Sequence, residues 1–121
     1  MPIRADDPVW KYVDVRRLGA YIEHSIDHGL QWVVFEPNNE ATWANVRRQV
    51  EDFLFALWSE GRLVGTTPDD AYFVKVDRST MTQDDIDTGR LVVIVGFAPL
   101  RPAEFVIIRI GQWAFGSVDD E

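Results

Sequence analysis

The 121 residues include 20 Asp and Glu against 12 Lys and Arg, which gives a formal charge of −8, and 46% of them are hydrophobic. Such a chain is long and apolar enough for one folded domain, whereas an acidic balance without any Lys- or Arg-rich stretch argues against binding to nucleic acid or to an anionic membrane surface. Cysteine is absent, which excludes disulfides, thiolate metal sites and cysteine nucleophiles.

The N-terminal part of the chain predicts a lead-in, a helix and a strand. Residues 1–9 combine two prolines and two aspartates with little to bury, which is typical of a solvated lead-in, and the folded part is expected from Trp10. Asp14 suits a helix N-cap and Gly29 a helix end, and between them apolar residues recur at spacings of three and four: Val15, Leu18, Ile22 and Ile26. Residues 31–36 are short, β-branched and aromatic, which predicts a strand that Pro37 ends.

A second helix and three further strands are predicted in the rest of the chain. Asn38 or Asn39 offers the helix cap, and one broad apolar stripe runs to Gly61: Trp43, Val46, Val50, Phe53, Leu54, Leu57 and Trp58. Residues 71–77 predict a strand, and a polar loop with a short helical turn follows. Residues 90–98 and 104–110 then predict an antiparallel hairpin with a five-residue connection.

The order α, β, α, β, β, β indicates an α+β fold. The simplest architecture is a two-layer sandwich, with two main helices packed on one face of a mainly antiparallel small sheet. Residues 90–98 and 104–110 are apolar on both faces, and two helices cover only one, so the second face requires another cover. We therefore expect a sheet that is open to strand addition from neighbouring molecules.

The C-terminal tail is the expected source of such a strand. Trp113 and Phe115 alternate, so that both would point to one side of an added strand. Gly111 offers a pivot where the tail leaves its own domain. The predicted organisation is thus a lead-in at 1–9, a domain at 10–111 and a C-terminal arm at 112–121.

Catalytic and metal-binding constellations are weak throughout. His24 and His28 lie four apart on the predicted helix, near Glu23 and Asp27, but they project away from its apolar stripe and lack a third ligand at a characteristic spacing. The acidic group Asp84, Asp85 and Asp87 lacks the glycine and the terminal glutamate of a calcium loop. No serine has a nucleophile-elbow context, and residues 61–65 lack the ending of a phosphate loop. We therefore predict no catalytic, cofactor-binding or metal site and no enzyme.

One aromatic residue stands out on the second predicted helix. Phe55 projects opposite the apolar stripe, on the side that carries Arg48 and Asp52. An isolated exposed Phe and an interface anchor are equally acceptable readings of this position.

Several stretches together resemble the C-terminal domain of phage-type contractile tail sheath proteins. The resemblance covers roughly residues 7–112, and its elements occur in the family's order: VRR, WVVFEPN, LW..G.L.G, AYFVK.D and AP..PAEFVI.RI. It implies a structural subunit domain in the inner layer of a sheath around the tail tube, with subunits linked by strand exchange. It also implies a longer protein, with a long N-terminal part that is missing here, so this chain is either a fragment or a shortened form.

The resemblance implies partners and places as well. The partners are other sheath subunits in a homo-oligomeric lattice and the inner tail tube protein. Assembly would occur in the bacterial cytoplasm, and the product is a phage virion tail or an extracellular contractile injection particle.

The expected subunit interface comprises Arg48, Asp52, Phe55, Phe105, Ile107, Gly111, Trp113 and Phe115. Asp84, Asp85 and Asp87 are expected to make electrostatic contacts with the tube or with subunits. The alternative is a generic small-ligand or regulatory α+β domain whose tail folds back on its own sheet.

Overall fold

The computed structural model describes residues 8–114, with side chains from residue 14 onward. Its elements in chain order are α1 (Pro8–Gly29), a 3₁₀ helix (Gln31–Phe35), α2 (Glu40–Ser59), α3 (Pro68–Ala71), β1 (Tyr72–Lys75), α4 (Gln83–Thr88), β2 (Arg90–Phe97) and β3 (Val106–Trp113). The three strands form one antiparallel sheet in the order β1-β2-β3. The α+β prediction is therefore confirmed.

Helix α1 starts earlier than predicted. It begins at Pro8, within the predicted lead-in, and not at Asp14. Proline is compatible with this position, because the first turn of a helix needs no hydrogen bonds from its N–H groups. The predicted apolar stripe is correct from Leu18 onward, since Leu18, Ile22 and Ile26 are buried in the core.

The strand predicted at residues 31–36 is wrong. The segment is a 3₁₀ helix, in which the N–H of Val33 donates to the carbonyl of Leu30 at 3.0 Å and the N–H of Glu36 donates to that of Val33 at 2.9 Å. Only Val33 of this helix is buried, whereas Val34 and Phe35 are exposed. A short apolar run fits both kinds of structure, and here the tight connection between α1 and α2 decides between them.

Helix α2 matches its prediction closely. The side chain of Asn39 caps it by accepting a hydrogen bond from the N–H of Thr42 at 3.1 Å. It ends at Ser59, just before Gly61, whose φ of 81° favours glycine. The stripe facing the core is buried: Trp43, Val46, Val50, Leu54 and Leu57.

The two faces of the sheet are covered differently. Leu91, Val93, Val95 and Phe97 of β2 lie on the face that meets the long helices, where the ring of Phe97 approaches Gly19 of α1. Helix α1 also contacts β3, and α2 contacts β1. On the opposite face α4 contacts β2, and the hydroxyl of Thr80 donates to the carbonyl of Val92 at 2.8 Å. The expected cover of the second face is thus supplied in part by the segment that contains α4.

Glycine at position 96 is required by packing on this second face. A Cβ atom there would collide with the ring of Phe73, which lies directly over it. Phe73 in turn makes an edge-to-face contact with Phe105, with ring centroids 5.0 Å apart. The aromatic pair closes the β1 end of the second face, while the β3 end is left exposed.

Candidate subunit interface

Strand β3 forms the longer exposed edge of the sheet. It pairs with β2 over eight residues, from Val106↔Phe97 to Trp113↔Arg90, and among residues 8–114 it has no partner strand on its other side. Ile107 is 56% exposed and Trp113 60% exposed. Both lie on the second face, because Ile107 is opposite Gly96 and Trp113 is opposite Arg90. A long edge with exposed apolar side chains has main-chain groups that can pair with another strand.

The C-terminal end of β3 differs from its prediction. The strand continues past Ile110 to Trp113, so the expected boundary between residues 111 and 112 falls inside β3. Gly111 is paired with Val92 as an ordinary strand residue. The N–H of the buried Ala114 then donates to the carbonyl of Gly89 at 2.6 Å. Main-chain pairing therefore keeps the chain on its own sheet through Ala114, and Phe115 lies outside the described residues.

The remaining predicted residue on this side, Phe105, precedes β3 and is half-buried against Phe73. Two interface candidates were missed by the sequence analysis. Val34 and Phe35 of the 3₁₀ helix are 47% and 78% exposed, and they line a groove with Trp32 and Trp113 at the end of β3. The groove has a volume of about 560 Å³. The interpretation of residues 31–36 as a strand did not identify these side chains as exposed.

A second surface lies on α2 and β1, where the structure brings Phe55 and Asp52 together. Phe55 is 49% exposed, and its ring is tilted against that of Trp58, with the two ring centroids 5.6 Å apart. Phe55 and Asp52 line a groove with Glu51, Asp69 and Tyr72. Burial raises the pKa of the Tyr72 phenol, and the nearby charges of Glu51, Asp52 and Asp69 raise it further. Arg48 is exposed but does not line this groove.

The acidic group at residues 84–87 forms the first turns of α4. The hydroxyl of Thr82 accepts from the N–H of Asp85 at 3.0 Å, and the carboxylate of Asp85 accepts from the N–H of Thr82 at 3.0 Å. This capping box was present in the sequence as a Thr followed three residues later by an acid, and it was missed. Asp87 accepts from the amide of Gln83 at 2.9 Å, and Asp84 is exposed. Contacts of these aspartates with subunits or tube stay a prediction.

Among the described residues, the two histidines considered as metal ligands are not joined by further ligands. His24 and His28 are exposed on α1. Within the part of the chain that the structure describes, no group of three or more His, Cys, Asp or Glu side chains is placed to hold a metal ion. None of the described helices is long and apolar enough to cross a membrane.

Comparison with known proteins identifies the family. The family described as "Phage tail sheath C-terminal domain" matches residues 5–112. The chain belongs to this family. No curated protein matches it.

Two solved structures contain similar chains. One is in the cryo-EM structure of the anti-feeding prophage baseplate, with 44% identity and a TM-score of 0.71. The other is in the cryo-EM structure of an extracellular contractile injection system, the PVC sheath complex in its contracted state, with 44% identity and a TM-score of 0.70. Each match covers 88% of this chain and 30% of the similar chain. This sheath C-terminal domain therefore spans about a third of the length of these relatives.

Proposed function

We propose that this domain is a non-enzymatic structural unit of a contractile sheath, where it forms the inner layer around the tail tube and links subunits by strand exchange. Its partners are then other sheath subunits and the tube protein, with no nucleic acid or membrane involved. The subunits assemble in the bacterial cytoplasm into a phage tail or an extracellular contractile injection particle. Membership of the sheath family supports this role, and the exposed edge of β3 is the observation that carries the strand exchange.

The geometry of the sheet favours β3 over β1 as the acceptor of a neighbour's strand. Strand β1 has four residues, whereas β3 has eight. A strand on β3 gains more main-chain hydrogen bonds, and its side chains would cover Ile107 and Trp113, which are exposed in the isolated domain. Addition at β3 would also protect an apolar edge that otherwise promotes aggregation.

The donated strand is the tail of another subunit. Because β3 retains residues up to Trp113, the donated part consists of residues 115–121. These include the apolar residues Phe115 and Val118. Tail and edge are therefore matched in apolar character.

Deleting the tail tests this function. The chain would be co-expressed with its cognate tube protein, and the particles examined by negative-stain electron microscopy. Unaltered chain is expected to give ordered rings or tubes, and a chain lacking residues 115–121 is expected to stay folded without forming them. A chain in which these residues are replaced by seven Gly and Ser controls for length. Ordered assemblies at the normal level from both altered chains would exclude strand exchange through the tail.

A further inference from the structure

The groove between α2 and β1 combines aromatic side chains with carboxylates. On α2, Phe55 lies three residues after Asp52 and four after Glu51, so these side chains share one side of the helix. Asp69 of α3 and Tyr72 of β1 also line the groove, whose volume is about 350 Å³. This acidic groove therefore brings apolar surface and three negative charges to one place.

The aromatic side chains of the acidic groove are held by contacts with the rest of the domain. The ring of Phe55 packs against that of Trp58, whose indole N–H donates to the carbonyl of Gly65 at 2.9 Å. Tyr72 is half-buried and is paired with Phe97 in the sheet. Because Phe55 is still 49% exposed, the groove presents a positioned ring to an incoming side chain.

The negative charges of the groove are only partly neutralised within the domain. Glu51 forms an ion pair with Arg47 at 3.4 Å. The carboxylates of Asp52 and Asp69 are exposed, and among residues 14–114 they form no hydrogen bond or ion pair. Burial raises the pKa of the Tyr72 phenol, and the charges of the three carboxylates raise it further, so these charges act together at the groove. No Lys or Arg is among the described residues that line it.

We propose that the acidic groove binds an arginine side chain of a basic polypeptide other than this chain. A guanidinium group stacks on aromatic rings and donates two parallel hydrogen bonds to a carboxylate, so it matches both features of the groove. A lysine ammonium group matches the charges but lacks the planar shape that stacks on a ring.

The charge of the chain argues against a second copy as the source of this arginine. The chain has 20 acidic and 12 basic residues, so two copies repel each other at low salt. A basic polypeptide is attracted by the chain as a whole and by the groove in particular. The groove lies at the β1 side of the sheet, whereas β3 forms the opposite edge, so the proposal does not depend on strand exchange at β3.

Binding of an arginine peptide to the full chain tests the proposal. The probe is a hexapeptide of alternating Thr and Arg, and binding to the isotope-labelled chain is followed by NMR at about 20 mM salt, where charges are weakly screened. A host with Asp52→Asn and Asp69→Asn should bind the peptide roughly fivefold more weakly. Asp84→Asn with Asp87→Asn is the matched control, because it removes the same charge from exposed positions of α4 and should alter binding by less than about twofold.

A change in the peptide gives a test that is independent of host folding. A peptide with citrulline in place of each arginine keeps the planar group without its charge, and it should bind at least about fivefold more weakly. Phe55→Ala leaves the charge of the chain unchanged and removes the exposed ring. This variant should bind the arginine peptide about threefold more weakly.

Each of the following results would overturn the proposal. Equal losses in the two double variants would show a general attraction to an acidic chain without a site in the groove. Equal binding of the arginine and citrulline peptides would exclude recognition of the charge, and absence of binding at about 1 mM peptide would exclude the site. Self-association of the unaltered chain in sedimentation experiments, if abolished by Asp52→Asn with Asp69→Asn, would identify a second copy as the occupant.

Discussion

Strands β2 and β3 lie side by side and are similarly apolar, yet they differ in burial. Between Leu91 and Phe97 every residue except Ile94 is buried, whereas in β3 only Ile110 is. The central strand has helices on one face, the α4 segment on the other, and a strand on each side. Strand β3, at the edge, has the composition of a central strand but is not enclosed in this way.

This contrast explains why an apolar pattern alone does not reveal whether a strand is central or at an edge. Edge strands of monomeric proteins are commonly short or charged, which prevents pairing with other chains. Strand β3 has eight residues and carries one charged side chain, Arg109. Strand β3 is therefore central by composition and peripheral by position.

The largest expected effect comes from shortening one apolar side chain in each of the two strands. Leu91→Ala in β2 should lower the free energy of unfolding by about 2–5 kcal/mol, because the fully buried side chain leaves a cavity. Ile107→Ala in β3 should lower it by less than about 0.5 kcal/mol, because the side chain is already 56% exposed. Urea unfolding of the isolated chain measures both. Similar losses for the two variants would show that β3 is covered within the single chain.

Replacing one glycine in each strand gives a second comparison of β2 with β3. Gly96→Ala should destabilise the domain by about 1–3 kcal/mol, since its Cβ meets the ring of Phe73. Gly111→Ala should be neutral or slightly stabilising, because the nearest heavy atom would lie 3.7 Å from the new Cβ and alanine loses less entropy than glycine on folding. The double variant Gly96→Ala, Phe73→Leu should recover part of the loss if the ring is the cause. Equal destabilisation at the two glycines would contradict the described packing.

Much of the helical layer could be predicted from the sequence, because its signals are local. In α2 the cap at Asn39 and a stripe from Trp43 to Leu57 identify the helix and its buried side together. The start of α1 at Pro8 was missed, because the polar composition of the first residues outweighed the helix-starting property of proline.

The other prediction errors concern segments whose structure depends on residues that are distant in the sequence. The run at residues 31–36 has strand composition, but the sheet offers it no place, so it closes as a 3₁₀ helix between α1 and α2. The end of β3 was placed too early because Gly111 resembled a hinge, whereas its pairing with Val92 is decided by β2. The site inherited both errors: Phe35 was overlooked, and Trp113 was assigned to the arm.

Helix α2 shows a similar contrast between two adjacent residues, since Leu54 is buried and Phe55 is exposed. Leu54→Ala should cost about 2–5 kcal/mol of stability. Phe55→Ala should cost less than about 1 kcal/mol, because it removes a half-exposed ring and its contact with Trp58. If Phe55 is an interface anchor, the same variant should weaken assembly with the tube protein by electron microscopy. Normal assembly would leave Phe55 as an isolated exposed aromatic.

The smallest expected effect concerns Asp85, on the part of the second face that α4 covers. Hydrogen bonds from the backbone and side chain of Thr82 lower the pKa of Asp85, and the charges of Arg90 and Arg109 lower it further. A carboxylate whose pKa is lower in the folded state stabilises the fold fully above its unfolded pKa of about 4, and this contribution is lost as the pH falls through the folded value.

Asp85→Asn should therefore remove a pH-dependent part of the stability. The melting temperature of the variant should fall less steeply below about pH 4 than that of the unaltered chain. Asp84→Asn is the matched control, since Asp84 neighbours Asp85 in α4 and its side-chain carboxylate receives no hydrogen bond from the described residues. Its profile should follow that of the unaltered chain. Identical slopes for all three chains would show that the ionisation of Asp85 does not contribute to the stability of the domain.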